Sequence, residues 1–90
     1  MIFEFDPAKS VSNREKHGID FLAAQALWSD ATLVEAPARD LDEPRFLAIG
    51  TIGGRHWAAI FARRGDAIRI ISARRARERE IEHYESLGIR

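Results

Sequence analysis

Three strand-like runs in the second half of the chain limit the folds that it can adopt. Residues 46–52, 57–62 and 67–72 are mainly apolar, and glycine-containing segments at 53–54 and 64–66 separate them. Glycine pairs and Gly-Asp sequences are typical of tight turns between neighbouring strands. The runs therefore predict an antiparallel meander of three strands.

The rest of the chain predicts helices and two further strands. An aspartate followed by proline opens a helix, and a glycine just past a helix ends it. The predicted elements are a strand at 2–5, a helix from Asp6-Pro7 to Gly18, a helix at 21–28 capped by Asp20, a strand at 32–35, an exposed loop at 37–44 and a last helix at about 77–86. The order β-α-α-β-β-β-β-α predicts an α+β domain with helices packed on an antiparallel sheet. Most aromatic side chains should belong to its core.

Length and composition indicate one ordinary globular domain spanning residues 1–90. The chain has 90 residues, of which 46% are hydrophobic and 31% charged, and it has no cysteine. A disulfide framework and thiolate chemistry are therefore excluded, which fits a reducing compartment. The N-terminus does not resemble a signal peptide, and no apolar run approaches the roughly 20 residues of a membrane span. A cytoplasmic location is expected.

The charge is distributed unevenly although the formal net charge is zero. Residues 1–54 carry five Lys/Arg and nine Asp/Glu, whereas residues 55–90 carry nine Arg and five acidic residues. Within residues 55–77 there are seven arginines and one acidic residue, Asp66. Such asymmetry favours a surface that faces nucleic acid or an acidic partner, although a solvated face without a ligand has the same composition.

The most cationic segment follows the last predicted strand. Residues 67–71 are largely apolar, the chain is expected to turn at Ser72-Ala73, and an arginine cluster then leads into the last helix. Guanidinium groups are planar, permanently charged and suited to bidentate phosphate binding. Phosphate is therefore the first partner to consider.

Several other chemistries are weakly supported. The three histidines are scattered without paired metal-ligand spacing, and the acidic cluster at 40–43 indicates loop solubility more than a cation site. No serine lies in a Gly-x-Ser-x-Gly elbow, and the glycines at 50–54 are not followed by the Gly-Lys-Ser/Thr of a phosphate loop. We therefore expect neither a metal nor another cofactor.

Cleavage of an RNA phosphodiester fits the groups that remain. The ribose supplies a 2′-hydroxyl nucleophile, so the protein has to move protons and neutralise the phosphate. Arg69, Arg74 and Arg75 are available to bind the phosphate. The candidate proton carriers are Lys16, His17, His56 and a glutamate. Lys16 and His17 also fit a structural role, because cations at a helix C-terminus are stabilised by the helix dipole.

Two blocks of the sequence resemble a known family. The opening block is Phe5-Asp6-Pro7-x-Lys9, then Asn13-x-x-Lys16-His17-Gly18-x-x-Phe21 and Ala24. The closing block is Arg64-Gly65-Asp66-x-Ile68-Arg69-Ile70-Ile71-Ser72-Ala73-Arg74-x-Ala76, with Glu80 and Tyr84 after it, and Arg45 and Ile49-Gly50 match between the two. Together they resemble the BrnT family of bacterial toxins over about residues 3–85.

The resemblance implies a function and partners. It implies a metal-independent endoribonuclease toxin of a type II toxin–antitoxin system, with a RelE-like fold and an effect on translation. Its partner would be a BrnA-like antitoxin, through which alone the complex would contact DNA. A non-enzymatic module that binds nucleic acid or antitoxin, including a degenerate toxin, is the alternative.

Site residues follow as hypotheses from the resemblance and the chemistry together. Arg74, His17 and Lys16 are the predicted catalytic residues, and the predicted RNA-binding residues are Arg69, Arg75, Arg63 and Arg64. Arg69 alternates with buried neighbours and has the alternative of pairing with Glu35 or Asp66. The chain departs from the family pattern at Arg77, where threonine is common, and in its less basic tail. The last helix is therefore expected to lack its N-cap and to bind RNA less than the strand end does.

Overall fold

A five-stranded sheet forms the centre of the computed structural model, which describes residues 1–38 and 43–88. The elements in chain order are β1 (Ile2–Glu4), α1 (Pro7–His17), α2 (Phe21–Ala24) with a 3₁₀ turn at Gln25–Ser29, β2 (Val34–Pro37), β3 (Phe46–Ile52), β4 (Arg55–Arg64), β5 (Ala67–Arg75) and α3 (Glu78–Gly88). The predicted order of helices and strands is confirmed. The predicted second helix is half α-helix and half 3₁₀ helix.

The sheet is mixed, so the prediction of a purely antiparallel sheet is wrong in one strand. The strand order is β1-β5-β4-β3-β2. The three-strand meander β3-β4-β5 is antiparallel as predicted, and β2 joins it antiparallel to β3. β1 pairs with β5 in parallel, with Ile2 opposite Ala67. No turn links β1 directly to its partner, so nothing local in the sequence indicates the direction of that pair.

The predicted helix caps are confirmed at both ends of α1. The carboxylate of Asp6 accepts hydrogen bonds from the backbone N–H groups of Ala8 and Lys9 at 2.9 and 3.4 Å. Gly18 ends the helix in the left-handed region at φ 77°, which costs a residue without Cβ little. Asp20 caps α2 in the same way, through the N–H of Ala23 at 2.7 Å. These caps fix the tight connection between the two helices.

Helices cover the two faces of the sheet unequally. Consecutive strand residues point to opposite faces, and Ala48 belongs to the core beneath α1 and α2 whereas Ile49 packs against Tyr84 of α3. Phe21 and Phe61 are fully buried in the larger core, and the remaining Phe and Trp side chains pack against it as predicted. The smaller core joins α3 to β2 and β3.

β5 contains a bulge and continues three residues beyond its predicted end, to Arg75. Phe61 pairs with Ile70 and Ile60 pairs with Ser72, so Ile71 is an extra residue in the ladder. The bulge resets the alternation of the side chains, and Ala73 points into the larger core at 1% exposure. The expected turn at Ser72-Ala73 is therefore absent, and Arg74 and Arg75 are strand residues.

The last helix has an N-terminal cap, although its sequence lacks the expected threonine. Glu80, three residues after Arg77, accepts the backbone N–H of Arg77 at 2.8 Å through Oε1. This is the glutamate half of a capping box, in which the side chain at the third helical position satisfies the N-cap amide. The prediction that α3 lacks its usual side-chain cap at Arg77 is consistent with the structure, but Glu80 supplies a substitute.

Candidate functional site

Asn13 holds α1 against the free edge of β5. The pairing of β1 with β5 ends at Glu4 and Arg69, so the following residues of β5 have no strand on that side in the described part of the chain. The side-chain amide of Asn13 donates to the carbonyl of Ala73 at 2.8 Å and accepts from its N–H at 3.2 Å. It donates also to the carbonyl of Ile19 at 2.8 Å. One buried side chain therefore ties together the helix, the strand and the α1–α2 connection.

A groove of about 320 Å³ lies between α1 and β5 beside this tie. Its walls come from α1, from the start of α2 and from the bulge of β5. The lining residues are Lys9, Ser12, Asn13, Lys16, His17, Phe21, Ile71 and Ser72. The bulge is thus part of the groove as well as a feature of the sheet.

The groove is cationic. Lys9, Lys16 and His17 are exposed, and no carboxylate in residues 1–38 or 43–88 forms an ion pair with any of them. The structure brings the two predicted residues Lys16 and His17 together here. It adds Lys9, which sequence reasoning missed as a site residue. The spacing in the sequence indicates Lys9, because Lys9 and Lys16 are seven residues apart and such residues lie on the same face of a helix.

Arg74 does not line the groove: it is two residues past Ser72 on β5, and its side chain lies on the face of the sheet that α3 covers. Ser72 and Arg74 pair with Ile60 and Ala58 on β4, and alternate strand residues share a face, so Arg74 follows Ser72 on the same side of β5. Its guanidinium forms a bidentate ion pair with Glu80 of α3, with Nη1–Oε1 and Nη2–Oε2 distances of 2.7 and 2.9 Å. The hydrogen bonds raise the pKa of Arg74. They also lower the pKa of Glu80, and the N–H of Arg77 lowers it further.

The other predicted arginines differ in their partners. Arg69 pairs with Glu4 at 3.6 Å, so the expected partners Glu35 and Asp66 are wrong. Arg63 pairs with Glu35 instead, and Arg64 pairs with Glu43 at 3.2 Å. Arg63, Arg64 and Arg69 are therefore partly neutralised by carboxylates from other segments.

Arg75 differs from the other three predicted RNA-binding arginines, because its partners are an aromatic ring and a backbone carbonyl. Its guanidinium lies 5.4 Å from the centre of the Trp57 ring, directly across the β4–β5 ladder. Its Nε–H donates to the carbonyl of His56 at 3.4 Å. Within the described residues no carboxylate pairs with it. Arg75 is therefore exposed, held in place by an aromatic ring and available to an anion.

Comparison with known proteins decides the family. The family model for the ribonuclease toxin BrnT, of type II toxin–antitoxin systems, matches residues 5–80. The chain belongs to the BrnT family. The search of curated proteins found no match. The matched span includes the groove, Arg74, Arg75 and Glu80, so the BrnT resemblance covers the whole candidate site.

Metal-ligating groups are dispersed in this BrnT family member. No group of three His, Cys, Asp or Glu side chains gathers in residues 1–38 and 43–88. His56 forms a pair with Glu85 at 2.7 Å, on the side of the sheet that α3 covers. Residues 40–42 of the predicted acidic cluster lie outside the described residues, and Glu43 is paired with Arg64. Among the helices of the described chain, none has the length and apolarity to cross a membrane.

Proposed function

We propose that this BrnT family member is an endoribonuclease toxin that cleaves RNA in the groove between α1 and β5 without a metal ion. The family consists of ribonuclease toxins, which gives the reaction class. One observation carries the location: Lys9, Lys16 and His17 converge on the groove without carboxylate partners among the described residues. A cationic groove suits a substrate with a negatively charged backbone.

The proposed reaction is an internal transesterification of RNA. The ribose 2′-oxygen attacks the adjacent phosphorus, the bond from phosphorus to the 5′-oxygen breaks, and a 2′,3′-cyclic phosphate and a 5′-hydroxyl result. The proton of the 2′-hydroxyl leaves and the 5′-oxygen gains one, so atoms and charge balance. The protein has to accept or donate these protons and stabilise the crowded phosphate.

The groove residues divide these tasks in the proposal. His17 carries one proton transfer, because a neutral imidazole accepts a proton and an imidazolium donates one. Lys16 and Lys9 neutralise the phosphate. Arg74, two residues past Ser72 on β5, binds a phosphate oxygen. The hydroxyls of Ser12 and Ser72 are hydrogen-bonding groups for the ribose or the phosphate.

In the proposal, the RNA that flanks the cleaved bond contacts Arg75, which has no carboxylate partner among the described residues. Arg75 on Trp57 offers a guanidinium plane on which a base stacks or a phosphate binds. Arg69, Arg63 and Arg64 add attraction over distance, weakened by their carboxylate partners. Because this attraction is electrostatic, binding should weaken steeply with salt.

The partner of the proposed toxin is an antitoxin protein. A type II system pairs a toxin with a protein antitoxin, and we propose a BrnA-like antitoxin that covers the cationic groove and brings the pair to DNA. The free toxin would act on cytoplasmic RNA and thereby inhibit translation. Growth arrest on expression, relieved by the product of the neighbouring gene, is the result expected in cells.

Purified chain, freed of its antitoxin and incubated with total RNA in excess chelator, tests the enzymatic proposal. Cleavage to products with 5′-hydroxyl and cyclic phosphate ends is expected. The same RNA with 2′-O-methyl riboses should stay intact, because the nucleophile is blocked. Intact ordinary RNA under all conditions contradicts the enzymatic proposal and favours a module that only binds RNA or antitoxin.

A further inference from the structure

We propose that Glu80 is a positioning residue for RNA binding: it fixes Arg74 so that one edge of the guanidinium stays open to a substrate phosphate. The inference rests on the proposed function, because it concerns how the same site holds RNA. Glu80 itself does not touch RNA in this proposal. It acts through Arg74.

The hydrogen-bond donors of Arg74 carry the inference. A guanidinium has five N–H donors in a fixed plane. Nη1 donates one hydrogen bond to Glu80 Oε1 at 2.7 Å and another to the carbonyl of Arg75 at 3.3 Å. Nη2 donates one hydrogen bond to Glu80 Oε2 at 2.9 Å. The Nε–H and the second N–H of Nη2 have no acceptor among the described residues. These two point to the same side and form the fork that binds two phosphate oxygens.

Glu80 is itself held rigidly, so its grip on Arg74 has a fixed direction. Its Oε1 also accepts the N–H of Arg77 at 2.8 Å, and its side chain is only 14% exposed. A carboxylate at a helix N-terminus is further favoured by the helix dipole. Arg74 therefore lies between two regular elements, the strand β5 that bears it and the helix α3 that orients it.

A fixed arginine binds phosphate better than a mobile one. An unrestrained arginine loses rotamer freedom on binding, whereas an ion pair that has already ordered the side chain removes that cost. The opposite role is a shield, in which Glu80 occupies Arg74 in place of RNA. The two roles predict opposite results when the carboxylate is removed: weaker RNA binding for positioning, tighter binding for shielding.

The substitution Glu80→Gln separates them, with Glu82→Gln as its matched control. Both remove one negative charge from α3, but Glu82 is exposed and has no ion pair in the described structure. The probe is a single-stranded 2′-O-methyl RNA, whose binding to the purified full chain is measured by fluorescence anisotropy at several salt concentrations. Circular dichroism at the assay temperature verifies that each variant is folded.

Positioning predicts that Glu80→Gln binds the probe about tenfold more weakly than Glu82→Gln, the loss expected for a hydrogen bond to a charged group. Arg74→Ala should lose about as much, and the double variant should lose no more than Arg74→Ala alone, because the two residues act through one contact. The slope of log affinity against log salt should fall by about 0.7 for one lost phosphate contact.

Equal or tighter binding by Glu80→Gln, relative to Glu82→Gln, overturns the positioning role. The positioning role is also overturned if the double variant loses as much binding free energy as the two single variants together. A wild-type chain that binds the probe without cleaving ordinary RNA contradicts the proposed enzyme alone, and the affinity comparison still decides the role of Glu80. A wild-type chain that binds no RNA overturns both proposals.

Discussion

The hydroxyl of Tyr84 donates a 2.6 Å hydrogen bond to the carboxylate of Asp30, which joins α3 to the segment between α2 and β2. Asp30 also accepts the N–H of Thr51 at 2.9 Å, at the edge of β3 that β2 leaves unpaired. α3 is thus fastened near its start by Arg74 and Glu80 and further along by Tyr84 and Asp30. Its position on the sheet depends on these contacts, on the pair between His56 and Glu85 and on the smaller core.

Tyr84→Phe should lower the free energy of unfolding by about 1–3 kcal/mol, because it removes a hydrogen bond to a charged, partly buried group. The aromatic ring remains in the core, so the loss reports the hydroxyl. Urea unfolding of the two proteins measures it. RNA cleavage by the folded variant should equal that of the wild type, since Tyr84 lies outside the groove. An unchanged unfolding midpoint contradicts the anchoring role.

Asp30 should make the protein less stable in acid. Burial alone would raise the pKa of Asp30, but hydrogen bonds from Tyr84, Thr32 and Thr51 outweigh it and hold that pKa well below its ordinary value. Because the folded pKa is the lower one, the stabilisation is complete above the unfolded pKa of about 3.9 and is lost as the pH falls below it. Asp30→Asn should therefore flatten the dependence of the unfolding free energy on pH between about pH 5 and pH 2.5.

The control for this experiment is Asp20→Asn, which changes another aspartate, the N-cap of α2. Parallel pH curves for wild-type protein and Asp30→Asn would show that Asp30 does not account for the acid sensitivity.

Asn13→Ala should destabilise the protein and impair RNA cleavage together. It leaves the carbonyls of Ile19 and Ala73 and the N–H of Ala73 without their partner, at about 1–3 kcal/mol for each group that water does not reach. It also removes the tie that sets the width of the groove. Unfolding in urea and cleavage at a temperature where the variant is folded measure the two effects. Glu15→Ala, an exposed change on the same helix, serves as control, and equal behaviour of the two variants argues against the tie.

Arg75→Ala should weaken RNA binding more than Arg64→Ala does. Both substitutions remove one positive charge, but Arg64 is paired with Glu43 whereas Arg75 lies on Trp57 without a carboxylate in the described structure. Loss of a stacked or phosphate-bound arginine costs about 1–3 kcal/mol, or about fivefold to more than a hundredfold in affinity. Titration of labelled single-stranded RNA with each variant provides the comparison. Equal losses would remove Arg75 from the proposed RNA path.

Local features of the sequence were sufficient to predict the order of the elements and the meander. Asp6, Gly18 and Asp20 act within a few residues, and the glycine turns join strands that are neighbours in the chain. The family was also recognisable, because its two sequence blocks include the groove residues Lys16 and His17 as well as Arg74.

Features that depend on distant contacts were not predictable in the same way. The parallel pairing of β1 and the continuation of β5 past Ser72 are set by the sheet as a whole. The partner of Arg69 is Glu4, sixty-five positions away in sequence, and nothing near Arg69 indicates it. The contact of Glu80 with Arg74 depends on how α3 packs against β5, so the residues around Glu80 do not indicate it. A RelE-like topology stays a prediction.

The central claim is that the groove between α1 and β5 is where RNA is cleaved, and Lys16→Ala beside Arg14→Ala tests it most directly. Both remove one positive charge from the exposed surface of α1, but only Lys16 lines the groove. The measurement is the initial rate of cleavage of a defined RNA in chelator, with both variants folded. We expect at least about a hundredfold loss for Lys16→Ala, in the range of a group that stabilises the charge of the transition state, and a rate close to wild type for Arg14→Ala. Equal rates for the two variants would place the chemistry elsewhere on the protein.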